Sequence, residues 1–369
     1  MIETASCIWQ VTSSGAWGGG ESVPVSLHRA FGRRGIRSKL FCSRESAIAT
    51  RQGHGSGIKA LPFSGVLDGK TRRALAGEMK TDNPDVILCH FSRDLFVLRR
   101  LLRRRGKTRL ILVKHVGPGK PKKDLFHRWV YRRVHAILGV SAYIARRCRE
   151  TYPIDAGRVF VWHPGVDEEL FRFRPDKRSP IRRTLGLNDN DVLIGYVARL
   201  TPGKGHRDLI AAFSSLAGWQ DNVYLVLLGA ASPEEKHVAE ELNGQMRASS
   251  VRERVILPGF VENVSDWLCA CDIFVNPSPR EAFGLNTIEA MAAGCPVIGT
   301  TGGGTPEIIT DRENGLLVEP HNPDQLAAAL TRLIDDTAWR RRLGRAARTA
   351  VETRFTHDKS VDRLLELAR

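Results

Sequence analysis

No stretch of about 18 apolar residues occurs in this 369-residue chain, so no membrane-spanning helix is expected. The opening, MIETASCIWQVTSSG, lacks a basic leader followed by an apolar core, and no signal peptide is expected. Seven cysteines are scattered, with only Cys269 and Cys271 close together. An odd count without paired spacing suggests reduced thiols in the cytoplasm and no zinc site. There is no short-period repeat and no low-complexity tract. Helix-turn-helix, RNP and zinc-finger patterns are missing, so nucleic acid is not an expected partner. What remains is 42% hydrophobic and 26% charged, the composition of a water-soluble globular protein, at a length suited to two domains.

The net charge of +16 is lopsided. Residues 1–175 carry 33 Lys and Arg against 14 Asp and Glu, a balance of +19; residues 176–369 carry 23 against 26, a balance of −3. All the basic character therefore belongs to the first half, which suggests a polyanion or a membrane surface as its partner.

Apolar β-branched runs alternate with amphipathic stretches throughout. Strands are expected at 6–12, 38–42, 85–89, 109–114 and 136–140, with helical patterns such as 22–31 and 95–104 between them. The Pro- and charge-rich passage 163–180 breaks the rhythm and is the best linker candidate. Strands resume at 191–198, 223–229, 254–259, 272–278, 296–300 and 315–319. Such alternation predicts α/β architecture, two doubly wound parallel sheets whose ligands sit at the carboxyl ends of strands.

Four places carry chemistry. EAFGLNTIE (281–289) sets Glu281 and Glu289 eight apart around a glycine turn, with the triple glycine Gly302–Gly304 one strand later. One reading is structural: Asn286 caps a helix and Glu289 closes a capping box. That leaves Glu281 unexplained, along with the amides of Phe283, Gly284 and Leu285 gathered at a positive helix end; an anionic or hydroxyl-rich ligand accounts for both. In YVARLTPGKGHRDLI, Arg199 and Lys204 flank a turn between strand and helix, and two cations there suit a diphosphate; the pattern is not a Walker loop. SSGAWGGGES (13–22) places glycines after the first strand, where backbone can approach a ligand closely. His115 ends the fourth expected strand at the same sheet edge. Asp189-Asn190-Asp191 imitates a metal-binding D-x-D, but it precedes a strand and reads as a turn.

Jointly these stretches, with AMAAGCPVIGTTGGGTPEII and NGLLVEPHNPDQLAAAL, resemble the retaining glycosyltransferases of family 4, of GT-B fold, across nearly the whole chain. The resemblance implies two Rossmann-like domains facing across a cleft: 1–172 for the acceptor and 173–369 for the nucleotide sugar. A final helix near 356–367 is expected to return to the first domain. It also implies that Arg199 and Lys204 hold the donor diphosphate, and that Glu289 accepts from the ribose hydroxyls. Glu281 and the backbone of Phe283, Gly284 and Leu285 would meet the sugar hydroxyls. Gly19 and Gly20 would approach the diphosphate, His115 would contact the transferred sugar, and Pro258 to Val261 would lie beside the base. In that family neither glutamate attacks the anomeric carbon. Retention is attributed to same-face attack, with the leaving phosphate taking the acceptor's proton. No cofactor and no metal are expected, because Arg199 and Lys204 neutralise the diphosphate.

The expected donor is a nucleotide diphosphate sugar, with UDP favoured and a hexose moved. Cations concentrate at 99–109 and 114–133. Lys120, Lys122, Lys123 and Arg128, with Trp129 and Tyr131 among them, suggest docking on anionic lipid headgroups or a phosphorylated glycan. A lipid-linked or lipopolysaccharide-core acceptor fits this best, on a cytoplasmic protein peripheral to the membrane. The alternatives are a sugar-nucleotide epimerase, another GT-B enzyme acting on a soluble acceptor, or a non-enzymatic protein that binds a polyanion or nucleic acid; the last has no use for Glu281 and Glu289.

Overall fold

The computed structural model describes residues 7–15, 17–52, 57–65, 68–102, 107–216, 221–247, 249 and 251–369. Ser6 of the first expected strand, Ala16 of the glycine loop and residues 103–106 of the first basic run lie outside them. The chain divides into two units: Met1–Gly165 with His357–Arg369, and Val166–Thr356.

The first unit holds a parallel sheet of β1 (Cys7–Thr12), β2 (Arg37–Ser43), β3 (Ile58–Leu61), β4 (Val86–Cys89), β5 (Arg109–Lys114), β6 (Val134–Gly139) and β7 (Val159–Val161), ordered β3-β2-β1-β4-β5-β6-β7. Every residue of β1 and β4 is buried, as expected of strands covered on both faces. The sheet order reverses direction between β1 and β4, so the segments leaving those strands part and open a site at their carboxyl ends. From β1 the chain enters α1 (Gly19–Arg33), which opens on two glycines, Gly19 and Gly20, ahead of Glu21. The last helix of the chain, α14 (His357–Leu367), belongs to this unit; Trp162 Nε1 donates to Ser360 O at 2.9 Å and Ser360 Oγ to His163 O at 2.9 Å.

The second unit repeats the design with β8 (Val192–Val197), β9 (Val223–Leu228), β10 (Val255–Gly259), β11 (Ile273–Asn276), β12 (Val297–Thr300) and β13 (Leu316–Val318), ordered β10-β9-β8-β11-β12-β13. Its reversal lies between β8 and β11. Those two strands lead into α8 (His206–Ser215) and α11 (Leu285–Ala292). The architecture of each unit is the expected one, a doubly wound parallel α/β sheet.

Two details differ from expectation. Edge strands β3 and β7 were not anticipated; IKAL is half-exposed along most of its length and VFV is only three residues long, so neither shows a full apolar run. His115 therefore follows the fifth strand in chain order, not the fourth. The passage 163–180 is also no plain linker, since α7 (Pro175–Thr184) begins inside it. Three arginines of one face anchor that stretch. Arg174 pairs with Asp266 at 2.5 Å, Arg178 with Asp272 at 2.7 Å, and buried Arg182 with Asp272 at 3.0 Å. Arg182 also donates to Asp191 O at 2.6 Å, while Asn188 N donates to Asp191 Oδ2 at 2.7 Å. The Asp189–Asp191 segment is a turn, closed on itself ahead of β8.

Candidate functional site

In the second unit, the strand reversal brings together the segment after β8 and the segment after β11, which lie far apart in sequence. Arg199 and Lys204 come from the first of these and Glu281 from the second. Lys204 Nζ donates to Glu281 Oε2 at 2.8 Å, a direct ion pair that residue spacing did not disclose. Buried Tyr196 fixes the turn, its hydroxyl donating to Lys204 O at 2.7 Å and lying 3.2 Å from Ser278 Oγ. The turn needs glycine at Gly205, where φ is +73° and a Cβ would sit 2.2 Å from Pro277 O. Arg199 is exposed, and its guanidinium has no partner among the described residues.

The triple glycine serves Glu281. Gly304 N donates to Glu281 O at 2.8 Å, Gly303 pairs with Glu281 in a short parallel bridge, and a Cβ on Gly303 would fall 2.1 Å from Glu281 O. Bare backbone is required there so that two chain segments can touch.

At the entrance of α11 the structure corrects the capping-box reading. The helix starts at Leu285, its N-cap is Gly284 at φ +111°, and no side chain caps it. Asn286 instead donates to Val197 O at 2.6 Å and accepts from Asn276 Nδ2 at 3.2 Å, stitching the helix to the carboxyl ends of β8 and β11. The amides of Gly284, Leu285 and Asn286 donate to no acceptor among the described residues. One turn on, half-buried Glu289 likewise has no side-chain partner among them, and loss of hydration pushes its carboxyl up to about 8. Phe283 turns its ring inward against Phe355, 5.8 Å between centroids. Pro258 stands exposed on edge strand β10, and Val261 lies half-buried just beyond it.

The first unit has its own cluster. Gly19 and Gly20 open α1, and a Cβ on Gly20 would be 3.4 Å from His115 Cβ, so the glycine loop and His115 are neighbours. His115 Nε2 lies 2.9 Å from Nδ1 of His90, a second histidine ending a strand. Burial, then the nearby Lys114 charge, lowers His115 to about 3. The histidine in DVILCH repeats the pattern of LILVKH, a signal that sequence reading passed over.

The basic stretch after His115 forms an amphipathic ridge. Lys120, Lys123 and Arg128 are exposed; Lys122 is half-buried, its amide donating to Thr151 O at 3.0 Å. On α5 (Leu125–Tyr131), Leu125, Phe126 and Trp129 are 83%, 48% and 41% exposed. Phe96 of α4 (Leu95–Leu101) stacks on Phe126 and meets Trp129 at a tilt, and Arg99 lies 4.1 Å from the Trp129 ring. Tyr131 is not part of this surface; it is buried, stacked on Tyr152 at 4.9 Å. Among the described residues no group of three or more His, Cys, Asp or Glu is placed to hold a metal, and no helix is long and apolar enough to cross a membrane.

Two doubly wound units with polar clusters at their reversal points place the chain among the α/β proteins built from paired Rossmann-like units. The sequence model described as "Glycosyl transferases group 1" matches residues 177–350, and "Glycosyltransferase Family 4" matches residues 17–170. The chain belongs to this glycosyltransferase family. It is 35% identical over 222 residues to the D-inositol 3-phosphate glycosyltransferase of Xylanimonas cellulosilytica, an alignment taking in 58% of this chain and 52% of that protein. The chain spans about half the length of the curated relatives it matches. Its fold is shared with Anabaena HepE, solved with UDP and glucose, at TM-score 0.83 and 21% identity over 98% of each chain. It is shared equally with a glycosyltransferase of Rickettsia africae, at TM-score 0.85 and 20% identity over 99% of this chain and 98% of that one.

Proposed function

We propose that this protein moves a hexose-type sugar, with retention and without a metal, from a nucleotide diphosphate sugar, UDP-sugar favoured, to an anionic lipid-linked or phosphorylated glycan. The observation that carries the proposal is the α11 entrance: three amides and the Glu289 carboxyl without partners among the described residues, beside the Lys204–Glu281 pair. A group that loses hydration without gaining a partner is kept where a ligand supplies one. Hydroxyls of a ribose can donate to Glu289, and the amides of Gly284 and Leu285 can donate to sugar oxygens.

Arg199 and Lys204 are assigned to the diphosphate. Arg199 is free to form a fork on phosphate oxygens, and Lys204 adds a point charge already oriented by Glu281. As the glycosyl bond breaks, negative charge grows on the departing phosphate, and these fixed cations stabilise it without a metal ion. The leaving phosphate is then the base that takes the acceptor's proton, with attack from the face it leaves. Pro258 to Val261 are assigned to the base. In the first unit, Gly19, Gly20 and His115 are assigned to the diphosphate and the transferred sugar. UDP in HepE and the glycosyl-transfer names of the curated relatives support the donor class.

The ridge of Leu125, Phe126 and Trp129, fringed by Lys120, Lys123 and Arg128, is assigned to the inner face of an anionic membrane, where the acceptor is presented. A soluble phosphorylated acceptor is the second reading. Lys114 and Lys122 Nζ each lie 5.9 Å from the Tyr152 ring centre, with no carboxylate partner among the described residues, and the curated relatives are named for D-inositol 3-phosphate.

A thermal-shift screen of UDP, GDP, ADP and their sugars tests the donor. Ligand at ~100 times its dissociation constant stabilises by ~2.7 kcal/mol, so one nucleotide is expected to raise Tm clearly above the others. No shift with any of them overturns the proposal.

A further inference from the structure

Three side chains from neighbouring strands form a hydrogen-bonded line at the carboxyl edge of the first sheet. Gln10 lies in β1, His90 follows β4 and His115 follows β5, strands adjacent in the order β1-β4-β5. Gln10 Nε2 donates to Pro24 O at 2.9 Å; Gln10 Oε1 is 3.1 Å from His90 Nε2; His90 Nδ1 is 2.9 Å from His115 Nε2. Gln10 and His90 are both buried.

The direction of this line follows from its fixed end. A carbonyl oxygen only accepts, so Gln10 must turn its NH2 toward Pro24 and its oxygen toward His90. That oxygen also only accepts, so His90 carries its proton on Nε2. Neutral His90 then offers a lone pair at Nδ1, and His115 must donate to it from Nε2. Burial holds both imidazoles below the ordinary histidine range, so each is neutral at pH 7. His115 Nδ1 is left as a lone pair, with no partner among the described residues.

We propose that Gln10 and His90 are positioning residues that hold His115 in the Nε2–H tautomer, so that His115 meets its ligand only as a hydrogen-bond acceptor. Under the glycosyl-transfer reading, on which the identity of the ligand rests, Nδ1 receives a hydroxyl of the donor sugar. An ether, fluorine or carboxylate oxygen at that place sets lone pair against lone pair and is refused. The tautomer itself does not depend on that reading.

The experiment is 15N NMR of full-length protein labelled at histidine, at pH 7 and without ligand. His90 and His115 are both expected neutral, each with its proton on Nε2. Gln10→Met removes the acceptor, and both rings are expected to redistribute between tautomers. Gln10→Glu favours a charged His90 that donates from Nδ1, and His115 is expected to reverse, with its proton on Nδ1. In a transfer assay Gln10→Met is expected to lower kcat by about tenfold, as loss of a group orienting another typically does, with UDP affinity unchanged. A wild-type His115 protonated on Nδ1 overturns the proposal, as does an Nε2–H form that persists unaltered in both variants. If the tautomers are as stated but saturating UDP-glucose and UDP-galactose leave the His115 signals unmoved, the ligand assignment falls and the tautomer lock stands.

Discussion

Glu289 and Arg199 both stand without partners among the described residues, for opposite electrostatic reasons: one is losing water, the other keeps it. A carboxyl that releases its proton near pH 8 in the folded chain and near its ordinary 4.5 when unfolded binds the extra proton only when folded. Stability from this group is therefore intact below about pH 4.5 and is lost as pH climbs toward 8. Glu289→Gln is expected to leave the ligand-free protein unchanged at pH 4 and to stabilise it at pH 9. Water reaches this half-buried group, so we expect about 1 kcal/mol, a Tm gain of roughly 2–4 °C by calorimetry. An equal gain at both pH values removes the titration as its cause. Arg199 is exposed, so Arg199→Ala is expected to keep Tm within the ~0.5 kcal/mol usual for surface changes. Turnover is expected to fall by about 10²–10³, the loss of ~3–4 kcal/mol that follows removal of one donor to a developing anion. Lys204→Ala should match that fall in rate, with a larger loss of stability because Glu281 is left without its cation. Near-normal rates in both variants refute the diphosphate assignment.

Elements bring these residues to one place, and there glycine matters most. Gly303 adopts φ +69° with its missing Cβ 2.1 Å from Glu281 O. Gly303→Ala adds both backbone strain and a clash with main chain that cannot swing aside. We expect a loss of about 2–3 kcal/mol in urea unfolding, with sugar-donor affinity weakened more than affinity for bare UDP, because Glu281 is displaced. A mild, stability-only effect shows that Glu281 is held by other means. The same elements show how far sequence reading reaches. Arg199, Lys204 and Glu281 were legible because each lies within three residues of a Gly or Pro in the segment that follows a buried apolar run, and strands β1, β4, β8 and β12 announced themselves as such runs. The helix start was misread because Asn286 is a good capping residue, whereas a left-handed Gly284 had already begun the helix. Edge strands β3 and β7 stayed hidden since half-covered strands need no continuous apolar pattern. Gln10 and His90 could not be paired in advance. Their meeting depends on β4 lying beside β1 and β5, a non-local order that no short window of sequence contains.

At the scale of the molecule, residues 1–175 carry +19 and also seven of the eight large exposed hydrophobics among the described residues, of which Leu125, Phe126 and Trp129 stand together on α5 beside Lys123 and Arg128. Charge alone suits any polyanion, and exposed apolar side chains alone suit a protein partner. Side by side they suit an anionic bilayer, where rings enter the interface and cations stay with the headgroups. The two contributions separate by salt. Headgroup attraction acts within a Debye length of ~8 Å at physiological ionic strength, whereas burial of Leu125 and Trp129 is indifferent to it. Replacing Lys120, Lys123 and Arg128 with glutamine removes about 3 kcal/mol at ~1 kcal/mol each, so vesicles rich in phosphatidylglycerol should bind on the order of 100-fold more weakly. The residual binding should lose most of its salt dependence. Leu125→Ser with Trp129→Ser should weaken binding at low and high salt alike. The three cations are exposed, so Tm is expected to hold in the glutamine variant. Trp129→Ser also loses the Phe96 and Arg99 contacts, so the serine variant is expected to lose about 1 kcal/mol and is compared at a temperature where it stays folded. Flotation with phosphatidylglycerol and with neutral phosphatidylcholine vesicles, across a salt series, reads both effects. Binding that ignores lipid charge and salt defeats the membrane reading. The basic half would then answer to a soluble phosphorylated acceptor, gathered by Lys114 and Lys122 beside Tyr152.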